Sequence, residues 1–110
     1  EMANTFKTVT DTAVGTSAAT IYTCPASTET TVIGMNVANI LSTGITVDIQ
    51  FVNNDGDNVY IVKDAPVPVG GALVAVGGDQ KIVVNAADSI TVTASQASAA
   101  DVTLSVLEIT

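Results

Sequence analysis

Residues 66–92, PVPVGGALVAVGGDQKIVVNAADSITV, constrain the fold more than any other part of the chain. Three short runs with strand-forming residues, at 72–76, 81–84 and 89–92, are punctuated by two glycine pairs and by the turn-forming segment 85–88. A helix needs about ten or more uninterrupted residues, so turn signals this close together leave no room for one. We therefore expect this stretch to form consecutive antiparallel strands, with the glycines in hairpin turns.

The β-branched residues extend this expectation to the whole chain. Of the 110 residues, 17 are Val, 9 are Ile and 16 are Thr, against only 4 Leu. Branching at Cβ restricts χ1 in a helix but packs well on the pleated surface of a sheet. About eight or nine strands at roughly ten-residue spacing, with no internal repeat, predict an all-β fold, an antiparallel, jelly-roll-like β-sandwich.

Alternating polarity predicts which side chains form the core. Residues 45–51 give the clearest period of two, and they lead into a hairpin signal at Asp55-Gly56. Pro66 and Pro68 predict an extended crossing segment, because proline cannot donate a hydrogen bond in a central strand. The residues expected in the core are Ile33, Met35, Val37, Ile45, Val47, Ile49, Phe51, Ile90, Val92 and Leu104.

The chain length suits one β-sandwich domain over residues 1–110. Within it, residues 1–18 have mixed polarity and predict either an N-terminal arm or an edge strand. Eleven acidic residues stand against three lysines and no arginine, which gives a net charge of −8 and a pI of about 4.1. Such a surface repels phosphate groups, so nucleic acid is not an expected partner. A membrane is not expected either, since no apolar run reaches the roughly 18 residues of a spanning helix.

The chain lacks the parts of most active sites. It has no His, no Walker-type phosphate loop and no G-x-S-x-G motif, so we predict a protein that is not an enzyme and has no cofactor. Cys24 has no histidine to activate it and is expected to be a structural thiol. Asp79 and Asp88 are expected to form turns. A single cysteine cannot form an internal disulfide, which suits assembly in a reducing cytoplasm.

Asn53, Asp55 and Asp57 place oxygen ligands at every second position, as a Ca²⁺ loop does. The bidentate acid that completes such a loop is missing, and the next acidic residue is Asp64, beyond an apolar run. A solvated hairpin turn explains the same residues. We favour the turn and keep the metal site as the alternative.

Several predicted strands carry apolar residues on both faces. A two-layer sandwich of this size would expose some of them, unless a bulge or a covering loop removes them from solvent. The alternative, which we favour, is an interface with other subunits. The interface candidates are Val59, Tyr60, Val62, Leu73, Val74, Val76, Leu107 and Ile109.

Three segments resemble small virion structural proteins of tailed bacteriophages: residues 22–26 with the following strand to Asn39, residues 63–68, and residues 85–90. The match covers roughly the last four fifths of the chain. It departs at Ala87, where such proteins often have Gly. The resemblance implies a β-sandwich subunit of a virion that is assembled in the host cytoplasm. The first role that it implies is that of a capsid decoration or cement protein. Tail, neck or fibre components are the alternative.

The resemblance also implies partners. It predicts binding to the major capsid protein or another virion protein. The strands with two apolar faces predict a homo-oligomer, and the resemblance implies that it is a trimer. A host-receptor or carbohydrate-binding module is the alternative from another class, since β-sandwiches also present recognition loops. The chain has only four aromatic residues for stacking against sugars, so we favour the structural role.

Overall fold

The computed structural model describes residues 3–110, which form nine strands and no helix. The described residues thus contain no helix that could cross a membrane. The strands are β1 (Asn4–Val14), β2 (Ala19–Thr23), β3 (Glu29–Asn39), β4 (Ile45–Val52), β5 (Asn58–Val67), β6 (Ala72–Val76), β7 (Ile82–Val84), β8 (Ser89–Ala94) and β9 (Ala100–Ile109).

The strands form two sheets, and every pairing between them is antiparallel. The first sheet has the order β1-β9-β3-β6, with β7 also paired to β3, and the second has the order β2-β8-β4-β5. Consecutive strands repeatedly cross from one sheet to the other, as they do in a jelly roll. The predicted all-β antiparallel sandwich is therefore confirmed.

The core fills the space between the inner faces of the two sheets. Eight of the ten predicted core residues are buried; the exceptions are Ile33 and Phe51. Phe51 is half-buried because it lies near the hairpin end of β4, opposite the exposed Val59. Ile33 is only half-buried because the register of β3 against β9 shifts between Val32 and Gly34. This bulge turns Ile33 away from the core, while Val32 and Met35 point inward.

The prediction of consecutive hairpins in residues 66–92 was wrong. β6 and β7 both pair with β3, and β8 lies in the other sheet. The loop after Gly77 therefore interrupts an edge strand rather than reversing it, with Gly78 in the left-handed region at φ 61°. The turn at 85–88 carries the chain from one sheet to the other. Turn residues reveal that a strand ends, but not which strand the next one joins.

The second correction concerns the proline segment. β5 continues to Val67, and Pro66 pairs with Thr46 instead of lying in a crossing connection. β5 is an edge strand, so the nitrogen of Pro66 needs no partner. The hairpin predicted at Asp55-Gly56 is present between β4 and β5, with Gly56 at φ 108°.

Candidate interaction surface

An apolar row crosses the outer face of the first sheet. Phe6 on β1 lies opposite Leu107 on β9, Leu107 opposite Thr31 on β3, and Thr31 opposite Val83 on β7. Side chains opposite each other in adjacent strands project to the same face. Phe6 is 73% exposed and Val83 is 56% exposed, whereas Leu107 and Thr31 between them are half-buried, so the two ends of the row are open to solvent.

The β3 bulge adds Ile33 to this row. Ile33 and Phe6 line a shallow groove of about 250 Å³, together with Lys7, Thr8, Ser105 and Val106. We call Phe6, Ile33, Val83 and Leu107 the outer apolar patch. Hydroxyl side chains of β1 and β9 continue the same face beyond it, which gives an apolar centre with a polar border. Protein interfaces have this arrangement.

The eight interface candidates do not form one surface. Leu107 and Ile109 lie on the outer face of the first sheet, because β9 keeps its alternation and places Glu108 inward. Val74 is 67% exposed on the same sheet, but opposite Asn36 and away from the outer apolar patch. Leu73 is half-buried on the inner side. Val76 is 1% exposed and belongs to the core, because the bulge between β3 and β6 aligns it with Met35.

The other candidates lie on β5, at the edge of the second sheet. Val59 and Tyr60 are exposed, and Val62 is half-buried opposite Ile49. The Lys63 ammonium group lies 5.0 Å from the centre of the Tyr60 ring and covers part of it. These residues therefore face another direction from the outer apolar patch.

Phe6, Ile33 and Val83 were not among the interface candidates. Phe6 lies in a threonine-rich segment and Val83 in a short apolar run, and neither segment has alternation that indicates an outward face. They become one surface only through the pairing of β1, β9, β3 and β7. The sequence carries no local signal of that pairing.

A buried polar network lies at the inner end of β9, behind the outer apolar patch. Oε2 of Glu108 accepts one hydrogen bond from the Tyr22 hydroxyl at 2.5 Å, and Oε1 pairs with the Lys7 ammonium at 2.9 Å. Tyr22 has one hydroxyl hydrogen, so Thr30 donates its own to Tyr22, at 2.8 Å. The pKa of Glu108 lies below its usual value, mainly because of the hydrogen bond from Tyr22 and secondly because of the contact with Lys7. The pKa of Tyr22 lies well above its usual value, mainly because the hydroxyl is buried and secondly because of its hydrogen bond to the Glu108 carboxylate.

Cys24 adjoins this network. Its side chain is 2% exposed, and Sγ lies 3.3 Å from both the Thr28 carbonyl oxygen and the Thr30 hydroxyl. The environment agrees with the structural thiol predicted from the sequence.

The candidate calcium residues form a closed turn. Oδ1 of Asn53 accepts the Asp55 backbone N–H at 2.8 Å, and the Asn53 carbonyl accepts the Gly56 N–H at 2.9 Å. Asp55 and Asp57 are exposed. Within residues 3–110, no group of three His, Cys, Asp or Glu side chains is arranged to hold a metal ion. These contacts favour the turn, and the metal site stays an untested alternative.

Asp88 joins this turn to the next one. Its Oδ1 accepts the Asn54 N–H at 2.7 Å and its Oδ2 accepts the Asn85 N–H at 3.2 Å. Asp88 is 5% exposed, so these bonds lie out of bulk water. The sequence predicted a turn residue here, but not the second bond to a loop 34 positions away.

Comparison with known proteins identifies a related fold. No protein-family model matches the sequence, and no curated protein matches it. A chain of the Bacillus endospore appendages, described as a novel family of disulfide-linked pili, matches with a TM-score of 0.52 and 18% identity, over 98% of this chain and 86% of that chain. At this identity the likeness shows a shared fold.

Two further matches come from infectious bursal disease virus. The VP2 subviral particle gives a TM-score of 0.30 and 11% identity, over 99% of this chain and 41% of that chain. The Gt strain structure gives a TM-score of 0.26 and 7% identity, over 99% of this chain and 40% of that chain. TM-scores this low do not establish a common fold. What the comparisons give is therefore a β-sandwich shared with a pilus protein.

Proposed function

We propose that this protein is a non-enzymatic structural subunit of a virion that binds the head lattice of a tailed phage as a decoration protein. The observation that carries the proposal is the outer apolar patch, in which Phe6 and Val83 are exposed and Ile33 and Leu107 are half-buried on one face of a sheet. Exposed Phe6 and Val83 lose water contact when another protein covers them, and burial stabilises association by roughly 25 cal/mol per Å² of apolar surface.

The charge of the chain restricts the kind of surface that it can bind. With a net charge of −8, the subunit is repelled by acidic surfaces and attracted by basic ones. We therefore infer that the major capsid protein offers an apolar pocket bordered by Lys or Arg. The resemblance of residues 22–39, 63–68 and 85–90 to small phage structural proteins supports the assignment to a virion.

The fold shared with the endospore appendage chain agrees with an assembling protein, but the means of assembly must differ. Those pili are described as disulfide-linked. This chain has one cysteine, and it is buried. We infer that this subunit associates through noncovalent contacts.

Co-sedimentation with purified heads and with purified tails of the phage that encodes the chain tests the proposal. The wild-type protein should pellet with heads and stay in the supernatant with tails. Phe6→Ser and Val83→Ser should weaken head binding at least tenfold and leave the melting temperature nearly unchanged, because both side chains are already exposed. Val59→Ser, at a similarly exposed position on the second sheet, is the matched control. Binding to tails alone, or equal losses for all three variants, would contradict the proposal.

We also propose self-association, for which the resemblance suggests a trimer. Charge repulsion between subunits is screened by salt, whereas apolar burial is hardly affected by it. Light scattering should therefore show stronger association at high ionic strength. A mass of 11.1 kDa at both low and high salt, at micromolar concentration, would exclude a stable homo-oligomer.

A further inference from the structure

The free edge of β1 differs from the other sheet edges. β5 is interrupted by register shifts and contains Pro66, β2 has only five residues and a register shift, and β6 and β7 are five and three residues long. Short, irregular or proline-containing edges resist pairing with another chain. β1 has 11 residues and pairs in unbroken register with β9 over the eight residues from Asn4 to Asp11; its one register shift lies near its end, between Asp11 and Val14. Its opposite side faces no other strand within residues 3–110.

We propose that β1 pairs with β1 of a second copy of this chain, antiparallel and about a two-fold axis at Val9. The charges of the strand select this register. Pairing about Val9 places Lys7 of each copy opposite Asp11 of the other, so the symmetry creates two opposite-charge pairs. Moving the axis by one residue, to Thr8 or Thr10, removes both direct pairs. Moving it by two residues, to Lys7 or Asp11, places like charges opposite each other.

The side chains that meet in this pairing lie on one face. Lys7, Val9 and Asp11 are opposite Val106, Leu104 and Val102 of β9, so all three project toward the inner side of the first sheet. The Lys7 side chain is 49% exposed although it contacts Glu108. Its ammonium group has three donors, and one contact with Glu108 leaves others to reach Asp11 of a second copy.

Pairing through β1 would leave the outer apolar patch uncovered. The first sheets of two copies would form one continuous sheet with two patches on the same outer face. Two patches on one rigid body bind a repeating lattice more tightly than one, because the second contact is intramolecular. Two-fold pairing through β1 closes at two copies, so this dimer contact is separate from the contact of the proposed trimer, and it does not depend on a role in a virion.

The first test reverses the charges. Lys7→Asp and Asp11→Lys should each weaken dimerisation about tenfold or more, measured by analytical ultracentrifugation at low salt. An equimolar mixture of the two variants should recover the wild-type affinity, because each copy then presents the charges that the other needs. Circular dichroism checks that both variants fold. A mixture no tighter than either variant alone would overturn the proposal.

The second test leaves Lys7 and its contact with Glu108 in place. Val9→Cys should form a disulfide-linked dimer on mild oxidation, since Val9 lies opposite itself in the proposed register. Thr5→Cys, on the same face of the same strand, should remain uncrosslinked. Cys24 can stay because it is buried. Equal crosslinking of both variants or of neither, or a trimer whose mass the charge reversals do not change, would refute pairing through β1.

Discussion

The hydroxyl group of Tyr22, on β2 in the second sheet, donates a hydrogen bond of 2.5 Å to Oε2 of Glu108, on β9 in the first sheet. The bond joins the two layers of the sandwich through a polar contact at one end of a largely apolar core. Lys7 and Thr30 complete its surroundings. Among the described residues that are not exposed, every fully buried side-chain nitrogen or oxygen atom has a hydrogen-bond partner. A buried carboxylate is tolerated when it is paired in this way.

Replacing Tyr22 by Phe should therefore lower the free energy of unfolding by about 1.5–3 kcal/mol, the usual cost of losing a hydrogen bond to a charged group. The aromatic ring stays, so packing is preserved. Tyr60→Phe is the matched control, because Tyr60 is 48% exposed, and it should change stability by less than about 0.5 kcal/mol. Urea denaturation measures both. Equal effects of the two substitutions would show that the bond to Glu108 does not stabilise the fold.

Glu108 should make stability depend on pH in the acidic range. Because the hydrogen bond from Tyr22 and the contact with Lys7 lower its pKa in the folded state, Glu108 binds its proton more readily when the chain is unfolded. Its contribution is complete above the unfolded pKa of roughly 4.3 and is lost as the pH falls through the folded pKa.

Melting temperatures of wild type and Glu108→Gln, measured from pH 7 to pH 3, test this dependence. The wild type should be more stable at pH 7, and the difference should shrink below about pH 4.3. Glu29→Gln, at an exposed position, should show only a small difference at every pH. A difference for Glu108→Gln that stays constant down to pH 3 would contradict the role of ionised Glu108.

Ala87 has φ 73°, a left-handed conformation that is strained for a residue with Cβ. Ala87→Gly should raise the free energy of unfolding by about 0.5–1 kcal/mol, since relief of strain exceeds the added entropy of the unfolded chain. Ala86→Gly, one position earlier and without a positive φ, should instead lower it by about 0.5 kcal/mol. Thermal denaturation distinguishes the two signs, and destabilisation by both would contradict the strain.

Asp88 should determine the order of the 53–58 turn as well as its own. Asp88→Ala removes acceptors from the Asn54 and Asn85 N–H groups and should cost about 2 kcal/mol. Asp79→Ala, in an exposed turn, is the control and should be nearly neutral. Hydrogen exchange at the Asn54 amide should accelerate only in Asp88→Ala. Unchanged exchange there would mean that the turn is ordered without Asp88.

The sequence predicted the positions of the strands better than it predicted which strands pair with one another. Alternation located β4 closely and placed Val47 and Ile49 in the core, because a period of two directly reports a half-buried strand. It gave the wrong face for Ile33, since a bulge adds one residue without changing the local composition. It also assigned β6, β7 and β8 to hairpins, because strand partners are determined by distant segments.

The candidate surface was predictable only in part. The excess of apolar residues indicated an interface, and Leu107 does lie on an outer face. Phe6 and Val83 are 77 positions apart in the chain and share a row only through β9 and β3. Glu108 was not predicted to be buried, because an acidic residue between Leu107 and Ile109 has the ordinary appearance of a solvent-facing position.

The packing around Cys24 makes the thiol a reporter of local opening. Sγ is enclosed beside Thr28 and Thr30, so a thiol reagent can reach it only when the segment around Cys24 moves away from these two residues. The rate of labelling at low denaturant therefore measures the free energy of that opening, without any added probe. Surface cysteines can be introduced elsewhere for dyes or crosslinkers while the native thiol stays unmodified. Because the native thiol is enclosed, its reactivity reports local opening, and cysteines introduced on the surface can be labelled selectively.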